Sequence, residues 1–188
     1  MLDDSRFVLS IALVAIAFGS ADCAELQNAP AAASPADPVF DCYVANSAWG
    51  LMYAGTMIDR NGDIWTYNER GKALPASAHV QGVTYFARHD LQTKYAQAKK
   101  TGSVDAKTLA EKTALIEKAA AGKIARTDTG VRDAGSSSCH AYVIDAAEQR
   151  LRDVELGSDG RVSDMRTTND AGEAQDLLKW LKSVGVAI

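Results

Sequence analysis

Two cysteines 97 positions apart, Cys42 and Cys139, place the tightest limit on what this chain can fold into. The third cysteine, Cys23, lies just after an apolar N-terminal run. If that run is a leader and is removed, an even pair stays in the folded part, and in an exported chain such a pair reads as one disulfide. The bridge would tie the first strand of the domain to a late one. Closing a loop of this size removes up to about 4–5 kcal/mol of unfolded-state freedom, comparable to the whole net stability of a small domain. A nucleophilic Cys139 beside His140 is the competing reading. Neighbouring side chains on a strand point to opposite faces, so a base would have to come from His79 or His89 through the fold.

The argument for export rests on Phe7 to Ala21 (FVLSIALVAIAFGSA), a run without a charge. A membrane-spanning helix needs about 20 apolar residues, and the small residues closing this run fit a peptidase site better. The expectation is a signal peptide over residues 1–21, with cleavage as late as Cys23. Asp3 and Asp4 outnumber Arg6 ahead of the run, so an uncleaved N-terminal anchor is the alternative. A lipid on Cys23 is a third reading, opposed by Asp22 where a small residue is wanted. Residues 22–38 hold three of the four prolines, Pro30, Pro35 and Pro38, interleaved with alanine. Proline locks φ and supplies no amide donor, so the segment reads as an extended, flexible tether to a domain over 39–188.

Within that domain, Val39–Val44 alternates as a strand, and Trp49–Ile58 is apolar on both faces. Asn61-Gly62 is a strong hairpin signal, returning the chain through Asp63–Asn68. From His89 to Lys100 and from Val104 to Ala121 the pattern turns helical. Ser103 or Asp105 is placed to cap the second run and Gly122 to end it. The two runs read as a basic helical hairpin over 88–122, followed by a polar loop over 123–138. Strands resume at Cys139–Asp145 and Arg150–Leu156, with Arg161–Arg166 as a further partner. Ala174, Leu177, Leu178, Leu181 and Val184 mark an amphipathic C-terminal helix, with Asp170 and Glu173 as a capping box and Gly185 as its stop. The fold class expected is α+β, a mainly antiparallel sheet of two β-hairpin blocks separated by a helical hairpin.

Chemistry-bearing motifs are sparse. Asp59, Asn61 and Asp63 open a calcium-loop pattern, but Ile64 and Arg70 stand where a glycine and a bidentate glutamate are needed, so a plain turn is expected. His79, His89 and His140 are scattered, without zinc-ligand spacing, and no cofactor is expected. Ser138 or Cys139, with His140 or His89 as base, is the one hydrolase-like set, and sequence spacing does not decide such triads. Charge is uneven. Residues 88–126 carry nine basic and four acidic side chains, net +5, on a chain of net −4. Lys99, Lys100, Lys107, Lys112, Lys118 and Lys123 are the candidate contact residues for an acidic protein or an anionic envelope component; solvation of a helix surface explains the same lysines. Nucleic acid is not an expected partner, since only Tyr95 among these residues could stack on a base. The function expected is therefore an exported, non-enzymatic protein that binds another macromolecule, as an inhibitor, immunity or assembly factor. The basic helices and the tips near Asn61 and Asp159 are its contact surfaces, and an envelope hydrolase is the alternative.

Overall fold

The computed structural model describes residues 34–48, 50–145, 147–158 and 162–186. The leader, Cys23, the tether as far as residue 33, Trp49 and the Asp159 tip lie outside them. The chain runs β1 (Pro38–Asn46), β2 (Met52–Asp59), β3 (Asp63–Arg70), β4 (Ser77–Val80), β5 (Val83–Ala87), α1 (Arg88–Lys94), β6 (Lys99–Ser103), α2 (Ala106–Thr113), α3 (Ile116–Ala119), β7 (Ile124–Asp128), β8 (Ser136–Asp145), β9 (Arg150–Gly157), β10 (Met165–Asn169) and α4 (Gly172–Ser183). This is an α+β domain dominated by antiparallel sheet. The strands lie side by side as β4-β5-β9-β8-β1-β2-β3-β6, all antiparallel. β10 touches the ends of β8 and β9 and pairs along its length with β7.

Side chains alternate across the central strands, and that alternation builds two cores. On one face Phe40, Cys42, Ile58, Cys139, Ala141 and Leu156 pack with Ile116 of α3 and Leu177, Trp180 and Leu181 of α4. On the other, Tyr53, Met57, Trp65, Tyr67, Tyr142 and Leu151 pack with Leu91 and Tyr95 from α1 and its C-cap. The expected hairpin closes at Asn61-Gly62, where Gly62 has φ +84° and its N–H donates to the Asp59 carbonyl. Asp59 is fully buried, and its carboxylate accepts from the amides of Ala36, Asn61 and Asp63 and from the Trp65 indole. Its oxygens organise the turn. At the far end Gly185 stops α4 as expected: Gly185 N–H reaches the Lys182 carbonyl and Val186 N–H the Leu181 carbonyl, which satisfies the last turn.

Several expectations are corrected. The helical hairpin over 88–122 does not form. α1 stops at Lys94, and Lys99–Ser103 instead pairs along the edge of β3, with Lys100 opposite Trp65. Helical propensity is worth only tenths of a kcal/mol per residue, and an open strand edge outbids it. Within the loop expected over 123–138, residues 124–128 form β7 and Ser136–Ser138 open β8. β7 is exposed throughout, so it carries no period-two signal. The strand expected at 161–166 begins only at Met165. The capping box at α4 is absent: Asp170 accepts from the Lys123 amide, while the Asn169 side chain accepts from the Ala171 amide. Asp105 does cap α2, through the Thr108 amide.

Candidate functional site

Strand alternation puts Phe40 and Cys42 on the helix-covered face, so Asp41 and Tyr43 must face the α1 side. Both faces of β1 are covered here, and Asp41 is a fully buried carboxylate at 0% exposure. It is held by three donors: Tyr67 Oη at 2.7 Å on Oδ1, and Lys94 Nζ at 2.6 Å with Tyr95 Oη at 2.8 Å on Oδ2. Lys94 is itself only 4% exposed. Its ammonium lies 4.1 Å from the centre of the Tyr43 ring and 5.1 Å from those of Tyr67 and Tyr95, so aromatic faces supply what water would. Gly55 makes the arrangement possible. It sits between Tyr43 and Tyr67 in the ladder, and a Cβ there would lie 2.6 Å from the Tyr67 hydroxyl.

Burial, and then the nearby Asp41 carboxylate, pushes the Tyr67, Tyr95 and Tyr142 hydroxyls well above the usual tyrosine range. Tyr67 and Tyr95 thus remain protonated donors, which is what Asp41 requires.

A second buried pair adjoins the first. His140 of β8 stacks on Tyr43 at 5.5 Å and Tyr142 at 6.4 Å, and its Nδ1 lies 2.8 Å from Asp153 Oδ1. Its Nε2 is buried with no hydrogen-bond partner among the described residues. Burial disfavours the imidazolium, but Asp153, Glu155 and Asp41 together outweigh it and raise the proton affinity above the ordinary histidine value. A raised folded-state pKa stabilises the fold fully below about 6.5, the unfolded value, and the gain is lost as pH rises through the folded value. The urea midpoint of the wild type is expected to fall over that window, and the fall to be smaller in His140→Gln. A parallel fall in both proteins would assign the slope to other groups.

The sequence-derived candidates fall in different places. Cys42 and Cys139 are directly opposed on β1 and β8, fully buried, and joined at 2.02 Å, so Cys139 holds no free thiol. The Ser138 hydroxyl donates to Glu155 Oε1 at 3.4 Å, and Glu155 also pairs with Arg126. His89 is exposed on α1 beside Asp90, and His79 meets the Thr84 hydroxyl. The six lysines do not share one helical surface. Lys99 and Lys100 lie on edge strand β6, Lys100 paired with Asp63 at 2.7 Å. Lys107 and Lys112 are on α2, Lys118 on α3 and Lys123 in the turn after it, with Lys112 over the Trp180 ring at 5.8 Å.

Sequence reasoning missed Asp41, Lys94 and the tyrosines around them. One signal was available: an aspartate inside VFDCYV, a strand whose neighbours on both faces are apolar or aromatic, has no wet side to occupy. Comparison of the chain with protein-family models, curated proteins and solved structures gives no match.

Proposed function

We propose that this is an exported, non-enzymatic domain that binds another macromolecule of the cell envelope, a protein or an anionic component. The observation carrying the reading is the buried Cys42–Cys139 disulfide between adjacent central strands, a cross-link that persists in oxidising compartments. No helix among the described residues is long and apolar enough to cross a membrane. The buried charges support a scaffold role, since Asp41, Lys94 and Asp59 are each consumed by internal partners. Binding then falls to the exposed surface, where the lysines of α2, α3 and the following turn stand.

Export from the chain's own leader, followed by intact-mass measurement, tests the compartment. The expected product lacks about the first 21–23 residues, and Cys42 and Cys139 react with alkylating agent only after reduction. Crosslinking in envelope extract tests the binding. A specific adduct is expected that is lost when Lys107, Lys112, Lys118 and Lys123 are changed to glutamate. An uncleaved chain with free thiols, or no adduct, counts against the reading.

One observation favours the hydrolase alternative, namely the Asp153–His140 pair with its unpartnered Nε2, two residues from Ser138 on the same face of β8. That reading requires hydrolysis of an envelope substrate that Ser138→Ala abolishes while the fold is retained.

A further inference from the structure

The pairing of β1 with β8 ends at Phe40 opposite Ala141, yet β8 continues to Asp145. β1 peels away because Asp37 and Pro38 turn toward β2: the Arg60 amide donates to the Asp37 carbonyl, and Pro38 lies opposite Asp59. Tyr142, Val143 and Ile144 are paired with β9 on one side; on the other no strand pairs with them among the described residues, and they line a groove of about 790 Å³. Its opposite wall is the flank of α2 and α3, chiefly Leu109, Ala110 and Ile116. Volumes of roughly 300–1,000 Å³ are typical of binding sites. A strand with an open side is a template for another extended backbone.

Charge at one end narrows the occupant. The Val104 amide donates to the Gly62 carbonyl, which fixes the β2–β3 tip, and with it Arg60, beside the start of α2. There two guanidiniums share one carboxylate: Arg88 Nε is 2.7 Å and Arg60 Nη2 3.4 Å from Asp37, whose side chain is buried while both arginines are partly exposed. Arg60 also lines the groove, so its half-exposed guanidinium is the cationic group presented at that end. At the α3 end Glu117 is neutralised by Arg152.

We infer that the groove receives an extended peptide segment of a partner protein, added as a short strand beside Tyr142–Ile144, with apolar side chains against Leu109 and Ile116 and a carboxylate at Arg60. This deepens the binding reading above by naming the partner's chemistry. It assigns to main-chain hydrogen bonds the affinity, and to the apolar wall and Arg60 the specificity.

The test is selection of a random peptide library displayed on phage against the intact exported protein. Ala110→Trp serves as counter-target, because this exposed groove position tolerates a large side chain without disturbing the core. Enrichment of alternating apolar sequences carrying an acidic residue is expected. The best peptide, made synthetically, should bind saturably and shift the amide resonances of Tyr142–Ile144. Methylating its alternate amide nitrogens should weaken it at least tenfold, and Arg60→Glu should weaken it about tenfold, a change of about 1.4 kcal/mol. Arg88 still holds Asp37 in that variant. No enrichment over Ala110→Trp, or binding indifferent to N-methylation, or displacement of the peptide by dodecanoate as effectively as by itself, overturns the proposal. If the peptide result is negative while the lysine-dependent adduct persists, the binding function stands and only the groove assignment falls.

Discussion

Removing the disulfide should cost this protein about a third or more of its stability. The bond joins residues already opposed in the β1–β8 ladder, so its main action is on the unfolded chain, where it closes a loop of 97 residues. The loop-entropy relation gives about 4.7 kcal/mol for such a loop, against the 5–15 kcal/mol expected for a whole domain. Urea unfolding of oxidised and reduced wild type at one pH measures it. With a urea slope of about 1–3 kcal/mol per molar, the midpoint should drop by roughly 1.5–5 M. Cys42→Ala/Cys139→Ala should fall further, since two buried sulfurs are then missing from a core that includes Phe40, Ala141 and Leu156. A shift of a few tenths molar on reduction would mean that the unfolded chain is already restrained without the bond.

The second large effect belongs to Lys94. Lys94→Met leaves Asp41 buried with two tyrosine hydroxyls and no counter-charge, and breaking a buried pair from one side costs about 3–5 kcal/mol. Replacing both partners removes the charge as well as the cation. Asp41→Asn/Lys94→Met should therefore recover most of the loss, because the uncharged amide can accept from Tyr67 through its oxygen and donate through its nitrogen to the Tyr95 hydroxyl oxygen. The comparison separates charge from packing, since both proteins carry the same methionine. Unfolding midpoints of the wild type, both single variants and the double variant give the coupling energy directly. If the double variant is as unstable as Lys94→Met, the ammonium is held for its packing against the tyrosine rings and not for its charge.

Much of the outline was legible in the sequence because its signals are local. Asn61-Gly62 closes a turn through one glycine at positive φ, and Gly185 ends α4 through two backbone hydrogen bonds. The stripe of Ala174, Leu177 and Leu181 announces which side of α4 is buried, and the three are fully buried as expected. The region 88–128 was misread for a complementary reason. Lys99–Ser103 and Ile124–Asp128 are strands only because β3 and β10 offer them edges. Their residues are mostly exposed, so no alternation of burial is written into them.

The candidate sites divide in the same way. The sequence alone determined that Cys42 and Cys139 form the pair available to the domain, that β1 is a strand, and that Asp41 and Tyr43 share a face of it. It did not determine what lies over that face. Lys94 reads as one more surface lysine in a basic helix, and only the packing of α1 onto the sheet brings its ammonium to a carboxylate 53 positions away. The sheet order likewise sets β8 beside β1 and then lets it run on past the point where β1 turns off, opening the groove under α2. Turns, caps and amphipathic stripes are settled by interactions over a few residues, so one sequence window records them. A buried ion pair and an uncovered strand edge depend on which distant segments meet, and that is decided only when the sheet and its helices close on one another.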